Sequence, residues 1–352
     1  MMNNEDKNNH SDEAPKGFNP EGESELRAMM IPQLNTSKLA FLGVLAFLFS
    51  SLEPFALFAS IPFTMSFLLY GKMKTFMMGV VGTVIAFLLV QIQFNQGSAL
   101  GTFPLALIYG YLISRTVRAK DHPLKGIVIN GASVFLVMMG LILTLNFQRE
   151  GGLRGILTPY VQKTATQYHE SLVNAVGAAG EQLRQLEDVM KEPSLVVDPV
   201  LNYGTGFIFV VVMLSFWVGT FVTLRMAPLW KPFHEYPYDV KTLTGLKMPF
   251  PLVWPLMGIL ALCVGHAYEV LGTWAEVIGL NGLMAFGVFY FFQGFGILSE
   301  LLTYWHFFGF LRTMAIFFAC LMAYQILALV GVLDTWVDFR RFFNKKNDEQ
   351  NF

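Results

Sequence analysis

Gln293 and Glu300 stand seven residues apart in the stretch FFQGFGILSE, with Gly294 and Gly296 beside the first. Seven residues are two helical turns, so the amide, Gly296 and the carboxylate share one helix face. Around them run Leu, Phe, Met and Val. In hydrocarbon, such polar groups are unfavourable unless they meet protein, water or a ligand. The stripe therefore has two readings. It can line a cavity and hold a small solute by hydrogen bonds, with Asn281 and Gln91 as further amides. Or it can pack on a neighbouring helix, the glycines admitting its backbone and Gln293 supplying a hydrogen bond. Glu300, near the end of its stretch, can also simply reach the interface.

Other polar residues carry weaker signals. His266 and Glu269 lie three apart and share a helix face, as a proton-relay pair would; a wet interfacial pair is the plainer reading. No third ligand stands at local spacing, so no metal is expected. Gln325 falls deep in an apolar stretch and is expected to make an interhelical hydrogen bond. Gln91, Gln93, Asn95 and Gln96 form a polar mouth where a solute would first meet the protein, on the same side as Glu53-Pro54; an ordinary exposed loop is the alternative. Cys263 and Cys320 sit alone in apolar runs and read as small packing residues. The chain has no Walker A pattern, G-x-S-x-G, H-E-x-x-H or D-F-G. No enzyme activity and no cofactor are expected. The near-neutral net charge of -1, without a basic stripe carrying aromatics, speaks against nucleic acid.

The elements that must position these groups are apolar helices. Hydrophobic residues make up 54% of the 352 residues, and charged residues 14% against about 25% in soluble proteins. The charges crowd into islands at 1–38, 148–199, 225–247 and the last dozen residues. Between them lie nine apolar stretches, about 38–52, 55–71, 75–93, 98–114, 126–147, 204–226, 250–271, 276–303 and 308–332, each of a length to cross or nearly cross about 30 Å of hydrocarbon. The expected fold is all-α, a polytopic transmembrane bundle of eight or nine spans in the lipid bilayer. Lys72 and Lys74, then Arg115, Arg118, Lys120 and Lys125, then Arg225, Lys231, Lys241 and Lys247 mark three loops that agree if all are cytoplasmic. That places 148–199 outside. With nine spans it also places the C-terminus outside, in conflict with Arg340, Arg341, Lys345 and Lys346.

The organisation expected is a disordered polar tail at 1–36, first membrane helices at 37–147, an insertion at 148–199, second membrane helices at 200–335 and a polar tail at 336–352. Within the insertion, Val161, Tyr168, Leu172 and Val176, then Leu183, Leu186 and Met190, fall at helical spacing, with Gly177 and Gly180 between. These read as two amphipathic extracytoplasmic helices and a hinge, serving as a surface cap or as a lid or docking arm. The stretch 227–249, broken by Pro228, Pro232, Pro237 and Pro249, suits a segment at headgroup level.

The last quarter of the chain carries a broader pattern. GLNGLMAFGVFYFFQGFGILSELL is followed by an apolar stretch and then GVLDTWVDFRRF. This resembles the YybS-like family of uncharacterised bacterial polytopic membrane proteins, on Asn281, Tyr290, Gln293, Gly294, Gly331, Asp334, Asp338 and Arg340. The resemblance extends to MPFPLVWPL and, more loosely, to SLEPFALFASIPFTMSFLLYGKMK. It implies a fold grouped distantly with the S components of energy-coupling-factor transporters, and a place in the bacterial inner membrane. The partners so implied are an unknown small solute, an energy-coupling transmembrane subunit and its ATPases. More spans than an S component has, and no A-x-x-x-A stripe on the first span, set this chain apart. Asp334, Asp338, Arg340 and Arg341 are expected on one helix face at the interface, as a structural clasp or a docking point. A transport-type binder is the leading reading, and a membrane scaffold or assembly factor the alternative.

Overall fold

The structure is a computed structural model and describes residues 34–91, 97–176 and 181–341. The expected disordered tail, the mouth residues Gln93, Asn95 and Gln96, the hinge glycines and the end of the C-terminal tail lie outside the described residues. Among those described there are helices and no strand.

The first half runs α1 (Thr36–Ser51), a 3-10 turn, α2 (Ser60–Tyr70), α3 (Lys72–Gln91), α4 (Gly97–Arg118) and α5 (Pro123–Gln148). Then come α6 (Gly152–Val176), α7 (Glu181–Lys191) and α8 (Ser194–Arg225). After an irregular stretch follow α9 (Val240–Thr244), α10 (Val253–Ala267), α11 (Thr273–Tyr304), α12 (Gly309–Met322) and α13 (Tyr324–Val337). Five helices are long and apolar enough to cross a membrane: α3, α5, α8, α10 with its preceding turn, and α11. A sixth span is counted if α12 and α13, bent by 94° at Ala323, are one. This is fewer than the eight or nine expected. Of the four apolar stretches not counted, 98–114 lies in α4, 38–52 and 55–71 form short apolar helices, and 308–332 does not run straight.

Apolar side chains cover the outside as well as the core. On α3 alone Met73, Met77, Val80, Val81 and Val84 are each more than half exposed. A surface of that kind is stable against hydrocarbon and not against water. Within the bundle, hydroxyls are satisfied along their own helices. Thr64 donates to the Ser60 carbonyl, Ser66 to Pro62 and Thr223 to Gly219. A serine or threonine can thus sit buried at depth without a partner on another helix.

The core has two parts. Phe63 and Phe67 of α2 and Phe103 of α4 form one, with T-shaped Phe63–Phe103 rings 5.0 Å apart. The larger one joins α2, α4, α5, α8 and α11. At its centre Trp217 lies nearly parallel to Phe292, at 5.0 Å, and to Phe221. α8 is the central strut: it packs on α2, α4, α5, α6 and α11. The insertion is two helices, α6 and α7, packed on each other and on α8. Ala165 is buried on its inner face, whereas Tyr168 points out.

The basic loops meet at one end of the bundle. Trp230 is fully buried and donates to the Thr223 carbonyl. Tyr236 donates to the Asp121 carbonyl, Lys120 pairs with Glu235, and His234 bonds the Leu68 carbonyl. Residues 227–239 therefore tie the ends of α2, α4 and α8 together. Asp239 caps α9, accepting from the Thr242 N–H at 2.9 Å. That bond holds the Asp239 carboxyl below its usual range. A lowered value in the folded state means stability that is present above the unfolded value and lost as pH falls through the folded one. Asp239→Ala is expected to cost about 1 kcal/mol at neutral pH. Unfolding curves against pH should show the gap to wild type closing below about pH 4; a gap that does not change with pH would refute the charged cap.

Candidate functional site

The polar residues of the last quarter form two clusters, at opposite ends of α11. At the basic end, α13 crosses α11 with backbone against backbone. A Cβ on Gly294 would sit 2.7 Å from the Leu327 carbonyl carbon, and one on Gly331 would sit 2.8 Å from that of Tyr290. The two glycines let the helices touch, and the contact brings Gln293 to Asp334. Both are fully buried. Gln293 donates through Nε2 to Asp334 Oδ2 at 2.8 Å and accepts at Oε1 from the Met248 N–H at 2.9 Å. Asp334 Oδ1 accepts from the Phe339 N–H at 2.8 Å.

Arg340 completes this cluster. Its Nη2 reaches the carbonyls of Leu246, Thr244 and Gln293 at 3.0, 3.2 and 3.4 Å, and its Nη1 lies 3.4 Å from Glu300. Gly296 makes room: a Cβ there would lie 2.7 Å from Nη2. Lys247 pairs with Asp338 at 3.0 Å. The two ends of the sequence pattern thus interlock, and with them the segment 244–248.

The expected single face of Asp334, Asp338, Arg340 and Arg341 is not seen. α13 stops at Val337, and Asp338 takes a left-handed conformation with φ 49°. Asp334 turns inward, Asp338 and Arg340 reach the 244–248 segment, and Arg341 is exposed. These contacts also set residues 338–340 at the same end as the basic loops. Arg340 lies at that end, and α12 and α13 are bent by 94°. The same bend corrects Gln325. It lies in the first turn of α13, exposed, and donates to the hydroxyl of its neighbour Tyr324.

At the other end of α11, His266 does not pair with Glu269. The chain reverses after α10 with Glu269 at φ 59°, and His266 Nε2 instead lies 3.0 Å from Glu276 Oε2. Tyr203 donates to the other oxygen of Glu276 at 2.7 Å. One carboxylate so joins α8, α10 and α11. A turn further on, Asn281 accepts from the Gly206 N–H at 2.6 Å and donates to the Asn202 carbonyl at 2.7 Å. Those two groups are one rung of the α8 ladder, so the amide grips α8 by its backbone. Asn281→Ala is expected to lower stability by about 1–3 kcal/mol, with Asn281→Asp in between because one donor pair is lost; thermal unfolding in detergent measures it. Cys263 packs against Gly279 between α10 and α11.

Gln91 ends α3, exposed, on a helix that packs on α1, α2 and α4. The structure does not bring it near Gln293. Sequence reasoning missed Glu276, Tyr203, Met248 and the carbonyls of 244–246. Glu276 is a charge in an apolar stretch and was legible as such; a backbone N–H or carbonyl leaves no signal.

The cavity lies beside the first cluster. α5 packs on α8, and the cleft between this pair on one side and α11 with residues 246–252 on the other has a volume of about 440 Å³. Its floor is Phe209 and Trp217 of α8 and Phe286, Phe289 and Phe292 of α11; Met248 and its neighbours roof it at the basic end. Gln293, Gly296, Glu300, Asn281 and Gln91 are not among the lining residues. The lining is apolar, but the buried indole N–H of Trp217 has no hydrogen-bond partner among the described residues. Among those residues there is also no group of His, Cys, Asp and Glu that could hold a metal.

A family model described as predicted membrane protein (DUF2232) matches residues 39–335. No curated protein matches the chain, and neither does any solved structure.

Proposed function

We propose that this chain, which belongs to the predicted membrane protein (DUF2232) family, binds a small, largely apolar solute in the cleft between α5 and α11. The cleft carries the reading. Its volume of about 440 Å³ falls within the few hundred to a thousand Å³ usual for small-molecule sites, which are mostly apolar with a few polar groups. Trp217 lines the cleft, its indole N–H buried and without a partner among the described residues. Gln293 acts at one remove: it fixes the backbone of Met248, a wall residue. The resemblance to the YybS-like family and to S components supports a transport-type role in the bacterial inner membrane. The basic end would face the cytoplasm and α6–α7 the outside. A separate transmembrane subunit and ATPases would power it, in keeping with a chain that carries no Walker A pattern.

The test compares wild type with Ala285→Phe, which fills the cleft from α11. Both are purified from native membrane in mild detergent, and the retained small molecules are extracted and identified by mass spectrometry. The expected result is a molecule held near one per chain by wild type and absent from the variant, at unchanged thermal stability. Identical extracts would sink the reading.

A second reading, a scaffold or assembly factor, draws on the polar clusters. Gln293, Asp334, Asn281 and Glu276 are all answered by protein partners, as groups that only set packing would be. Recovery of cell-envelope proteins with no ATPase in the same purification would favour it.

A further inference from the structure

The roof of the cleft is held from outside by the end of the described chain. Leu246, Met248, Pro249 and Leu252 line the cleft from a stretch with little regular structure. The two ends of that stretch are anchored: Leu243 and Thr244 are buried on one side, Val253 and Leu256 on the other. Between them none of residues 245–252 is fully buried. Lys247 pairs with Asp338, and Arg340 donates to the carbonyls of Thr244 and Leu246. Residues 338–341 are thus bonded, as a strap, to the segment that roofs the cleft.

The strap is lightly fastened. α13 ends at Val337, and Asp338 leaves it in a left-handed conformation. None of residues 338–341 is fully buried. Both members of the Lys247–Asp338 pair are about half exposed, and such a pair is weak and weaker still in salt. Arg340 reaches its carbonyls with one nitrogen, Nη2, at 3.0 to 3.4 Å, and its Nε is buried without a partner among the described residues. A segment with few buried apolar contacts, held by exposed or unfinished polar bonds, opens more readily than the core it rests on. Gln293, by contrast, holds the Met248 N–H from within the bundle, so the roof stays attached when the strap leaves. We propose that residues 338–341 shut the cleft at its basic end, and that lifting them opens it to water on that side. This rests on the cleft reading above and adds how the cleft is opened.

The experiment reads access to the cleft without needing its solute. Ala285→Cys puts a thiol in the lining, in a full chain whose two native cysteines, Cys263 and Cys320, are replaced by Ala. The protein in nanodiscs is treated with a permanently charged methanethiosulfonate, which hydrocarbon excludes, and mass spectrometry follows labelling in time. With the strap intact, labelling should be slow. Arg340→Ala should speed it by roughly tenfold or more, the equivalent of one charge-assisted hydrogen bond. Asp338→Asn removes the ion pair but keeps a residue that tolerates the left-handed conformation; it should speed labelling roughly two- to fivefold. High salt should do the same to the intact strap and add nothing to Asp338→Asn. Gly82→Ala controls for general loosening. Its Cβ would meet the Phe103 ring in the separate α3–α4 contact, and it should leave labelling at position 285 unchanged. Equal rates in both strap variants and the intact protein, or a rise matched by Gly82→Ala, would overturn the strap. The solute is tested apart from this, by the extraction with Ala285→Phe. Unchanged labelling beside a retained solute sinks the strap alone, and faster labelling beside identical extracts sinks the solute alone.

Discussion

Gly331→Ala should be among the most damaging single-methyl changes available in this chain. The added Cβ would meet the Tyr290 carbonyl and lie 3.0 Å from the Gly294 nitrogen. Both are backbone atoms inside α11, so no side chain can rotate away. Either the α11–α13 crossing opens or a helix distorts. Overpacking of a rigid contact costs about 1–3 kcal/mol and occasionally more, and here the upper end is expected. The crossing also sets the Gln293–Asp334 bond, so its loss adds to the steric term. Gly294→Ala, which meets the Leu327 backbone from the other side, should behave alike. Gly287 is the control. It lies in the same helix with nothing within 4 Å of its Cβ, so Gly287→Ala should be neutral or stabilise by up to about 1 kcal/mol through helix propensity. Thermal unfolding of the three variants in one detergent decides. Equal midpoints for Gly331→Ala and Gly287→Ala would mean that the helices do not touch at these glycines.

The same region shows what the sequence could and could not convey. The stripe of Gln293, Gly296 and Glu300 was legible because helical periodicity is local. So was the choice between packing and lining, with packing now the geometry in view. The partners were not legible. Asp334 lies 41 residues from Gln293 and Met248 lies 45 away, and pairing over such distances is set by the crossing, not by any spacing. His266 illustrates a nearer failure. Glu269 stood at helical spacing, but α10 ends at Ala267 and the chain turns back, which hands the histidine to Glu276. Among the described residues five or six helices are long and apolar enough to cross a membrane, against the eight or nine spans that hydropathy suggests. It registers length and apolarity and cannot register the bend at Ala323, which contains neither Pro nor Gly. The charge islands fared better. Three basic loops were read as lying on one side, and hydrogen bonds among residues 68, 121, 234 and 236 gather them at one end.

Arg340 shows how much one side chain can organise there. It is among the few charged groups that reach inside, with its side chain 13% exposed. It accepts nothing and donates to three carbonyls from two segments and to Glu300. A planar fork of donors suits such a convergence better than an ammonium would. The result is that segment 244–248, which has little regular structure, is fixed from both sides: by Arg340 on its carbonyls and by Gln293 on the Met248 N–H. The roof of the cleft is therefore as rigid as the clasp that holds it. A ligand entering beneath that roof would meet a preformed surface, with little ordering cost on binding.

That coupling is measurable as a double-mutant cycle on Gln293 and Asp334. Gln293→Leu leaves Asp334 Oδ2 and the Met248 N–H buried without partners. Each orphaned group costs about 1–3 kcal/mol, so a total of some 2–6 kcal/mol is expected. Asp334→Leu removes the acceptor of both Gln293 and the Phe339 N–H and should cost a similar amount. With both changed, the Gln293–Asp334 pair leaves no member behind, and only the two backbone N–H groups stay unmet. The double variant should therefore be less unstable than the sum of the singles by about 1–3 kcal/mol, the range of coupling for groups in direct contact. Reversible unfolding by denaturant in mixed micelles supplies the four free energies. Additivity to within about 0.5 kcal/mol would mean that the two side chains do not bond, and Gln293 would be free to face a ligand. If the coupling is found while solute retention in Gln293→Leu falls only as far as its stability does, Gln293 is a positioning residue for the roof and not part of the binding surface.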